Sequence, residues 1–182
     1  MVVENKFVGR LHTLEGISIR DAQKEDYPAI VRLNDGEVEH TSPMDMKRLS
    51  LLASLAAYFR VALSGNRIVA FLMAMKDGVP YQNDNYGWFS SRYSSFLYID
   101  RIVVGSDFQG CGIGKLFYQD VFTFSRQTGI PMITCEINTI PSNKRSIAFH
   151  AGFGFREVGS QCYFEGRKKV SMQAAFLCRD ET

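Results

Sequence analysis

The stretch FLYIDRIVVGSDFQGCGIGKLFYQDVFTFSRQTG, residues 96–129, carries most of the information about how this chain folds. It opens with an apolar run over 96–104, typical of a buried strand, and closes with apolar positions at close to helical spacing over 112–128. Three glycines at alternate positions, 110, 112 and 114, lie just before the helix and in its first residues. Glycines let the backbone approach a ligand closely, and the unpaired N–H groups at a helix start are donors for anionic oxygens. The stretch therefore predicts a strand, a phosphate-binding turn and a helix.

Two common nucleotide-binding motifs do not fit this turn. The dinucleotide fingerprint GxGxxG requires glycine where Lys115 stands. A Walker loop requires glycine at Gln109 and Ser or Thr at Leu116. A glycine-rich turn that only connects a strand to a helix is the alternative interpretation at this point.

The segments on either side predict further strands and helices. Upstream lie a strand over 17–20, a helix from about Asp26, a helix over 43–57 and a hairpin of strands 58–63 and 68–75. Downstream lie a strand over 132–138, a helix over 143–152 and a hairpin of strands 155–164 and 168–177, turned at 165–167. One crossover helix implies a parallel strand pair, whereas the hairpins imply antiparallel pairs. The predicted fold class is α+β, a mixed sheet of seven strands flanked by helices.

The segment 76–95 has a different character. Glycine, proline, asparagine and four serines alternate there with aromatic residues, including Tyr86 and Trp88. Such a composition favours a long loop over a regular element. We therefore expect an aromatic loop between the third and fourth strands.

Length and composition favour one domain. The chain has 182 residues, of which 46% are hydrophobic and 22% charged, so it is long enough to bury a sizeable core. We expect a single domain over 1–182, with 1–16 as an N-terminal extension. Lys plus Arg number 21 and Asp plus Glu 19, and the net charge of +2 supplies no broad field for nucleic acid or anionic lipid.

Three features missing from the sequence narrow the function further. The longest apolar runs, around 68–75 and 99–104, are far shorter than the roughly 20 residues needed to cross a bilayer, so no membrane partner is expected. Residues 1–16 show no continuous apolar core or small-residue cleavage site, so the predicted location is cytoplasmic. The four cysteines are irregularly spaced, which fits neither zinc ligands nor a disulfide framework, and no metal site is predicted.

Two motifs in the chain resemble those of one enzyme superfamily. Read from Val104, VGSDFQGCGIG resembles V-x-P-x-x-(R/Q)-G-x-G-(I/L)-G, the acyl-CoA pyrophosphate turn of the GNAT N-acetyltransferase superfamily, with Ser106 in place of the proline. The run NKRSIAFHAGFGF, residues 143–155, resembles the second motif of that superfamily, N-x-x-(S/A)-x-x-F-Y-x-x-x-G-F. The two motifs also occur in the order and at the distance along the chain that the superfamily shows. The resemblance implies the GNAT acyl-CoA N-acyltransferase fold, a mixed and mostly antiparallel seven-stranded sheet in which one parallel strand pair, 96–104 and 132–138, splays apart.

The same resemblance implies a binding site for acetyl-CoA as cosubstrate. The pantetheine arm would pair with the strand backbone, and the pyrophosphate would sit on the amides of the glycine-rich turn. A main-chain N–H near Val103 would point at the thioester oxygen. The implied cofactor-binding residues are Ile102, Val103, Val104, Gln109, Gly110, Cys111, Gly112, Ile113, Gly114, Lys115, Asn143 and Phe149.

Two carboxylates are candidates for the base that deprotonates the acceptor amine. Glu136 resembles, by position, the catalytic glutamate of ribosomal-protein alanine N-acetyltransferases; the alternative is a solvated strand glutamate. Asp100 is the second candidate, because period-two alternation places it on the strand face of Tyr98 and Ile102. Its neighbour Arg101 offers the other interpretation, a charge pair that holds the sheet edge or a loop.

His150 is the candidate acid. It stands where most relatives have the tyrosine that protonates the leaving thiolate, and histidine can donate a proton near neutrality. A helix histidine that is hydrogen-bonded to a neighbour is the alternative.

The resemblance therefore implies an N-acetyltransferase that moves an acetyl group from acetyl-CoA to a primary amine by direct attack in a ternary complex, without a metal. The amine acceptor is a small molecule or a peptide N-terminus, and Tyr86 and Trp88 are expected either to stack on it or to pack against the sheet or a dimer mate. A homodimer is the default assembly. A non-catalytic acyl-CoA-binding regulatory module of the same fold is the alternative, and a peptide-binding partner protein that uses only the aromatic segment is a more distant one.

Overall fold

A computed structural model describes residues 16–36, 42–164 and 167–177 of the chain. The strands are β1 Ile17–Asp21, β2 Ala56–Ser64, β3 Arg67–Lys76, β4 Leu97–Val104, β5 Met132–Ile140, β6 Arg156–Tyr163 and β7 Lys168–Phe176. The α-helices are α1 Tyr27–Asp35, α2 Met46–Leu55, α3 Asp84–Ser90, α4 Ile113–Gln127 and α5 Lys144–Ala151.

The described strands form one seven-stranded sheet in the order β1-β2-β3-β4-β5-β7-β6. Only the central pair, β4 and β5, is parallel, and α4 is the crossover between them. Each of the other neighbouring pairs is antiparallel. The predicted mixed, mostly antiparallel sheet of seven strands is confirmed.

The two parallel strands separate soon after they begin to pair. Their register contains two residue pairs, Leu97 with Ile133 and Tyr98 with Thr134. Further along β4 and β5, each strand keeps its outer neighbour but not the other member of the pair. The predicted splay is therefore present, and it opens a gap in the middle of the sheet.

Apolar side chains cover both faces of the sheet. Phe117 and Val121 of α4 belong to a core cluster on one face, together with Leu97 of β4. Ile30 of α1 and Leu49 of α2 belong to the cluster on the opposite face. A strand buried on both faces is apolar at successive positions, which explains the unbroken apolar character of β3.

The segment 76–95 is not a continuous loop, because it contains helix α3. Asn83 caps this helix by accepting hydrogen bonds from the backbone N–H groups of Asn85 and Tyr86, at 2.9 and 3.0 Å. Tyr86 and Phe89, three residues apart, are both buried beneath it. The helix is short and contains a glycine, so the helical spacing of its apolar residues is hard to detect among the turn-forming residues. The loop prediction was wrong here.

Other boundaries differ by a few residues. α1 begins after Asp26, as predicted, and has Pro28 in its first turn. The helix predicted over 43–57 is shorter, because Asp45 caps it and β2 begins at Ala56. The predicted turn at 165–167 lies partly outside the described residues, and the proposed extension 1–16 lies outside them except for Gly16. Within the described ranges, no helix has the length and apolar character needed to span a membrane.

Candidate active site

The glycine-rich turn between β4 and α4 exposes backbone N–H groups. Gly110 and Gly112 have φ angles of +80° and +86°, in the left-handed region that favours glycine. Gly112 precedes α4 without a side-chain cap, and the Leu116 N–H donates to the Gly112 carbonyl at 3.1 Å. The N–H groups of Ile113, Gly114 and Lys115 therefore precede the first helical hydrogen bond and are available to an anion.

A third glycine in this turn has a packing role. A Cβ at Gly114 would lie 3.3 Å from Cζ of Phe149, which is tighter than an ordinary contact. Helix α5, which carries Phe149, can therefore approach the start of α4 closely. Asn143 caps α5, because its side-chain oxygen accepts the Ser146 N–H at 3.0 Å. The two sequence motifs thus form adjoining walls of one site.

A cleft of about 880 Å³ runs from this turn into the gap between β4 and β5. Its volume is within the range of small-molecule sites. Of the residues predicted from the sequence, all but Cys111 line it. The set is Asp100, Ile102, Val103, Val104, Gln109, Gly110, Gly112, Ile113, Gly114, Lys115, Glu136, Asn143, Phe149 and His150.

Glu136 lies on β5 at the inner end of the cleft. Its Oε2 accepts a hydrogen bond from the Tyr98 hydroxyl at 2.6 Å, and the Asn85 side chain lines the cleft with it. Burial raises the pKa of Glu136 to about 7, and the charge of Asp100 adds to the increase, while the interactions with Tyr98 and Asn85 oppose it. Glu136 therefore changes protonation state near neutral pH.

Asp100 lies near Glu136, but both of its carboxylate oxygens already accept hydrogen bonds from other side chains. One carboxylate oxygen accepts from the Tyr81 hydroxyl, and the other accepts from Arg101 Nε at 2.7 Å. Its side chain is only 3% exposed. Arg101 in turn donates to Asn34 Oδ1 at 2.7 Å and to the Ser42 carbonyl at 3.1 Å. The pair thus connects the sheet to α1 and to the chain entering α2.

Strand β4 carries a β-bulge at Asp100. Met73 pairs with Arg101 and Ala74 with Ile99, so Asp100 has no opposite residue on β3. Tyr98 and Asp100 share a face, as period-two alternation predicts. Ile102, however, packs on the opposite core cluster, because the extra residue reverses the alternation beyond it. Its predicted placement beside Tyr98 was wrong.

His150 is buried against helix α4. Its Nδ1 lies 2.7 Å from the Ser146 carbonyl, so this nitrogen carries the proton and donates it. Its Nε2 lies 2.5 Å from the Tyr118 hydroxyl, which is therefore the donor. Burial lowers the pKa of His150, with a smaller opposing contribution from the Ser146 carbonyl. The ring is therefore neutral at pH 7.

The aromatic segment supplies different residues from those expected. Tyr86 is buried among the rings of Phe96 and Tyr98, and Trp88 lies against Gly159 of β6. Neither lines the cleft, so of the two interpretations the structure supports packing against the sheet. Helix α3 instead brings Asn83 and Asn85 to the cleft wall.

Sequence reasoning did not identify Tyr98, Asn85 and Tyr118 as site residues. Each has a hydrogen-bond partner far along the chain: Tyr98 and Glu136 are 38 residues apart, Tyr118 and His150 are 32 apart, and Asn85 and Tyr163 are 78 apart. The one local signal was for Tyr98, which shares a strand face with Asp100. Among the described residues, no group of three or more His, Cys, Asp or Glu side chains is arranged to hold a metal ion.

The family model described as the acetyltransferase (GNAT) family matches residues 17–155 of this chain. A comparison with curated proteins gave no match. Solved structures with a similar fold include the ribosomal-protein-S18-alanine N-acetyltransferase from Escherichia coli, with a TM-score of 0.68 and 16% identity over 91% of this chain and 98% of that one. Ard1 from Thermoplasma volcanium has a TM-score of 0.73 and 15% identity, covering 90% and 99%. YncA from Salmonella typhimurium, described as an acetyltransferase and solved with its cofactor acetyl-CoA, has a TM-score of 0.67 and 20% identity, covering 92% and 96%.

Proposed function

Because this chain belongs to the acetyltransferase (GNAT) family, we propose that it transfers an acetyl group from acetyl-CoA to a primary amine by direct attack in a ternary complex. The single observation that carries the proposal is the cleft between the splayed strands, which joins the anion-binding turn to a carboxyl group that titrates near neutral pH. The turn at one end of the cleft can hold a diphosphate, and the Glu136 carboxylate at the other end can accept a proton.

The cofactor end of the cleft fits the diphosphate of acetyl-CoA. The N–H groups at the start of α4 are donors without a competing side-chain cap, and the helix dipole favours negative charge there. Lys115 and Arg145 also line this part of the cleft and add positive charge. These residues hold the cosubstrate so that its thioester points toward the inner end of the gap.

The exposed edge of β4 supports the assignment of the oxyanion donor. Pairing with β5 ends at Tyr98, so strand N–H groups further along β4 that point toward β5 have no partner on that strand. A main-chain N–H near Val103 donates to the thioester oxygen and stabilises the negative charge that develops there during attack.

Glu136 is the proposed general base. An amine is nucleophilic only when neutral, and most amines are protonated at pH 7. Glu136 accepts the proton directly or through a water, the amine nitrogen forms a bond to the acetyl carbon, and the carbon–sulfur bond breaks. Asp100 is a weaker candidate, because both of its oxygens are already hydrogen-bonded within a buried charge pair.

The thiolate leaves near the contact between Tyr118 and His150. His150 is not placed to donate directly, since one ring nitrogen donates to Ser146 and the other accepts from Tyr118. We therefore propose that His150 acts through the Tyr118 hydroxyl, which it holds at the cleft wall. A coenzyme A thiolate is already a fair leaving group, so this contribution is small.

The proposal is tested by thiol release from acetyl-CoA with a panel of small amines, amino acids and peptides with free N-termini. Turnover with at least one acceptor is expected. Glu136→Gln should reduce the turnover number by about a hundredfold or more and leave the Kd of acetyl-CoA unchanged. Acetyl-CoA binding without turnover on any acceptor would overturn the catalytic proposal in favour of a non-catalytic acyl-CoA-binding module.

A further inference from the structure

Helix α3 is held against the sheet by two contacts with β6. The indole of Trp88 occupies the space that a side chain at residue 159 would need, since a Cβ on Gly159 would lie 2.4 Å from its Cζ2. The guanidinium of Arg92 covers the Trp88 ring, at 4.0 Å from the centroid. The other contact is polar and involves Asn85, in the first turn of α3. The helix therefore has a defined position over the end of the cleft.

The polar contact determines which way the Asn85 amide points. The Tyr163 hydroxyl donates to Asn85 Oδ1 at 2.6 Å, and the Gln161 side-chain nitrogen donates to the same oxygen at 3.2 Å. Two donors on one atom identify it as the carbonyl oxygen of the amide. The Asn85 NH₂ group is thereby directed away from β6. Asn85 lines the same cleft as Glu136, and its side chain lowers the pKa of that carboxyl.

We infer that α3 is a positioning element for the proposed base, in which Asn85 donates to the Glu136 carboxylate with an amide whose orientation is set by Tyr163 and Gln161. This inference rests on the proposed function of Glu136. Tyr98 donates to Glu136 from β4, so the carboxylate lies between a donor from the sheet and a donor from the helix. Asn85 is a positioning residue, because it acts through Glu136.

Hydrogen bonds to the charged form of a carboxyl group favour ionisation. Asn85 thus keeps the pKa of Glu136 lower than burial alone would make it. Besides Tyr98, the charged and titratable groups that line the cleft or interact with Glu136 are Asp100 and Arg101 on β4, Lys115 and Tyr118 on α4, Cys135 on β5, Arg145 and His150 on α5, Tyr163 on β6 and Lys168 on β7. None of the substitutions below adds or removes a charge among them.

The test measures the titration midpoint of the Glu136 carboxyl by carbon NMR on glutamate-labelled protein, with Glu136→Gln used to assign the signal. Asn85→Leu removes the amide donor, and the midpoint is expected to rise by about one pH unit. Tyr163→Phe removes one of the two donors to the amide oxygen, and a smaller rise is expected. The acid limb of kcat/KM for thiol release should move with the midpoint in both variants, while the KM for acetyl-CoA stays constant.

Gly87→Ala is the matched control, because it lies on the same helix with no atom within 4 Å of the added Cβ. It should leave the midpoint and the pH profile unchanged. If Asn85→Leu does not fold, Tyr163→Phe still decides the question, since that side chain is only half-buried.

The inference is overturned if the midpoint is the same as in the wild type in every folded variant. If the midpoint is unchanged and the enzyme is active, the positioning role of Asn85 is refuted and the proposed acetyl transfer stands. Conversely, a shifted midpoint in a protein that shows no turnover supports the positioning role and refutes the catalytic one.

Discussion

The hydroxyl of Tyr98 on β4 donates a 2.6 Å hydrogen bond to Oε2 of Glu136 on β5. Tyr98 is also one of the last residues of β4 that pair with β5. The contact therefore lies at the point where the two parallel strands separate. It places the proposed base at the inner end of the cleft, beyond the turn that can bind a diphosphate.

The pH dependence of catalysis should follow the ionisation of Glu136. A base acts only when deprotonated, and the pKa of Glu136 is raised to about 7. We expect kcat/KM to rise about tenfold per pH unit below pH 7 and to level off above it. The profile is measured with two acceptors whose amines have different pKa values. If the acid limb of kcat/KM shifts with the pKa of the acceptor amine, the limb belongs to the substrate and the assignment to Glu136 is contradicted.

Glu136→Gln should stabilise the protein at alkaline pH while it removes activity. Between the ordinary pKa of 4.5 and the folded value of about 7, the folded state holds a proton that the unfolded state has lost. Stability therefore falls as the pH rises through this interval, and glutamine avoids the loss. The expected gain in unfolding free energy at pH 8 is on the order of 2 kcal/mol. It is measured by urea denaturation at pH 8 and at pH 4, where no gain is expected.

Asp100→Asn should destabilise the fold without removing catalysis. The substitution leaves Arg101 buried without its charged partner, which costs on the order of 3 kcal/mol. It also removes a charge that raises the pKa of Glu136, so the acid limb should move to lower pH. Thermal unfolding and the pH profile measure the two effects.

Asp107→Asn is the control for Asp100→Asn, because the pair of Asp107 with Arg67 is mostly exposed at 3.7 Å and is expected to contribute little. Complete loss of turnover in Asp100→Asn at an unchanged melting temperature would instead identify Asp100 as the base.

Gly112→Ala should weaken acetyl-CoA binding. The residue has a φ angle of +86°, where an L side chain costs about 1–2 kcal/mol, and the added methyl lies at the proposed diphosphate site. We expect the Kd of acetyl-CoA, measured by calorimetry, to rise by about tenfold or more. Gly65→Ala is the control, since it has a φ angle of +58° with open space around it in the β2–β3 hairpin. Equal effects of the two substitutions on binding would argue against the site.

Tyr118→Phe and His150→Gln should have small and non-additive effects on the turnover number. The two side chains form one hydrogen-bonded pair, so removing either member removes the same interaction. A loss of about tenfold or less is expected for each, because the thiolate leaves readily without an acid. The double variant should be no slower than the worse single variant. If the loss in the double variant equals the product of the two single losses, the residues act separately.

Much of the fold was predictable from the chain alone. The strand, glycine turn and helix of residues 96–129 are specified by periods and φ preferences that are local. Residues of both motifs, among them Gly110, Gly112, Asn143 and Phe149, line one cleft. Helix α3 was missed because its seven residues show little period, and tertiary contacts such as Trp88 against Gly159 hold it in place.

The roles of the carboxylates could not be separated from the sequence. Glu136 and Asp100 are both strand acids beside the gap, and the structure distinguishes them by the hydrogen bonds that Asp100 accepts from Arg101 and Tyr81 and by the raised pKa of Glu136. The bulge at Asp100 also changes which residues share a face, and a bulge is defined by the opposite strand.

The sequence by itself determined the order of the seven strands, the turn that can bind a diphosphate and three of the polar side chains near the gap, Asp100, Glu136 and His150. These depend on neighbours within a few residues, because glycine conformation and helix starts are local properties. Only the tertiary structure decided that Glu136 titrates near pH 7, that Tyr98 donates to it and that Asn85 lines the same cleft. Ionisation depends on burial and on the charges and donors nearby, and folding brings those groups together from distant parts of the chain.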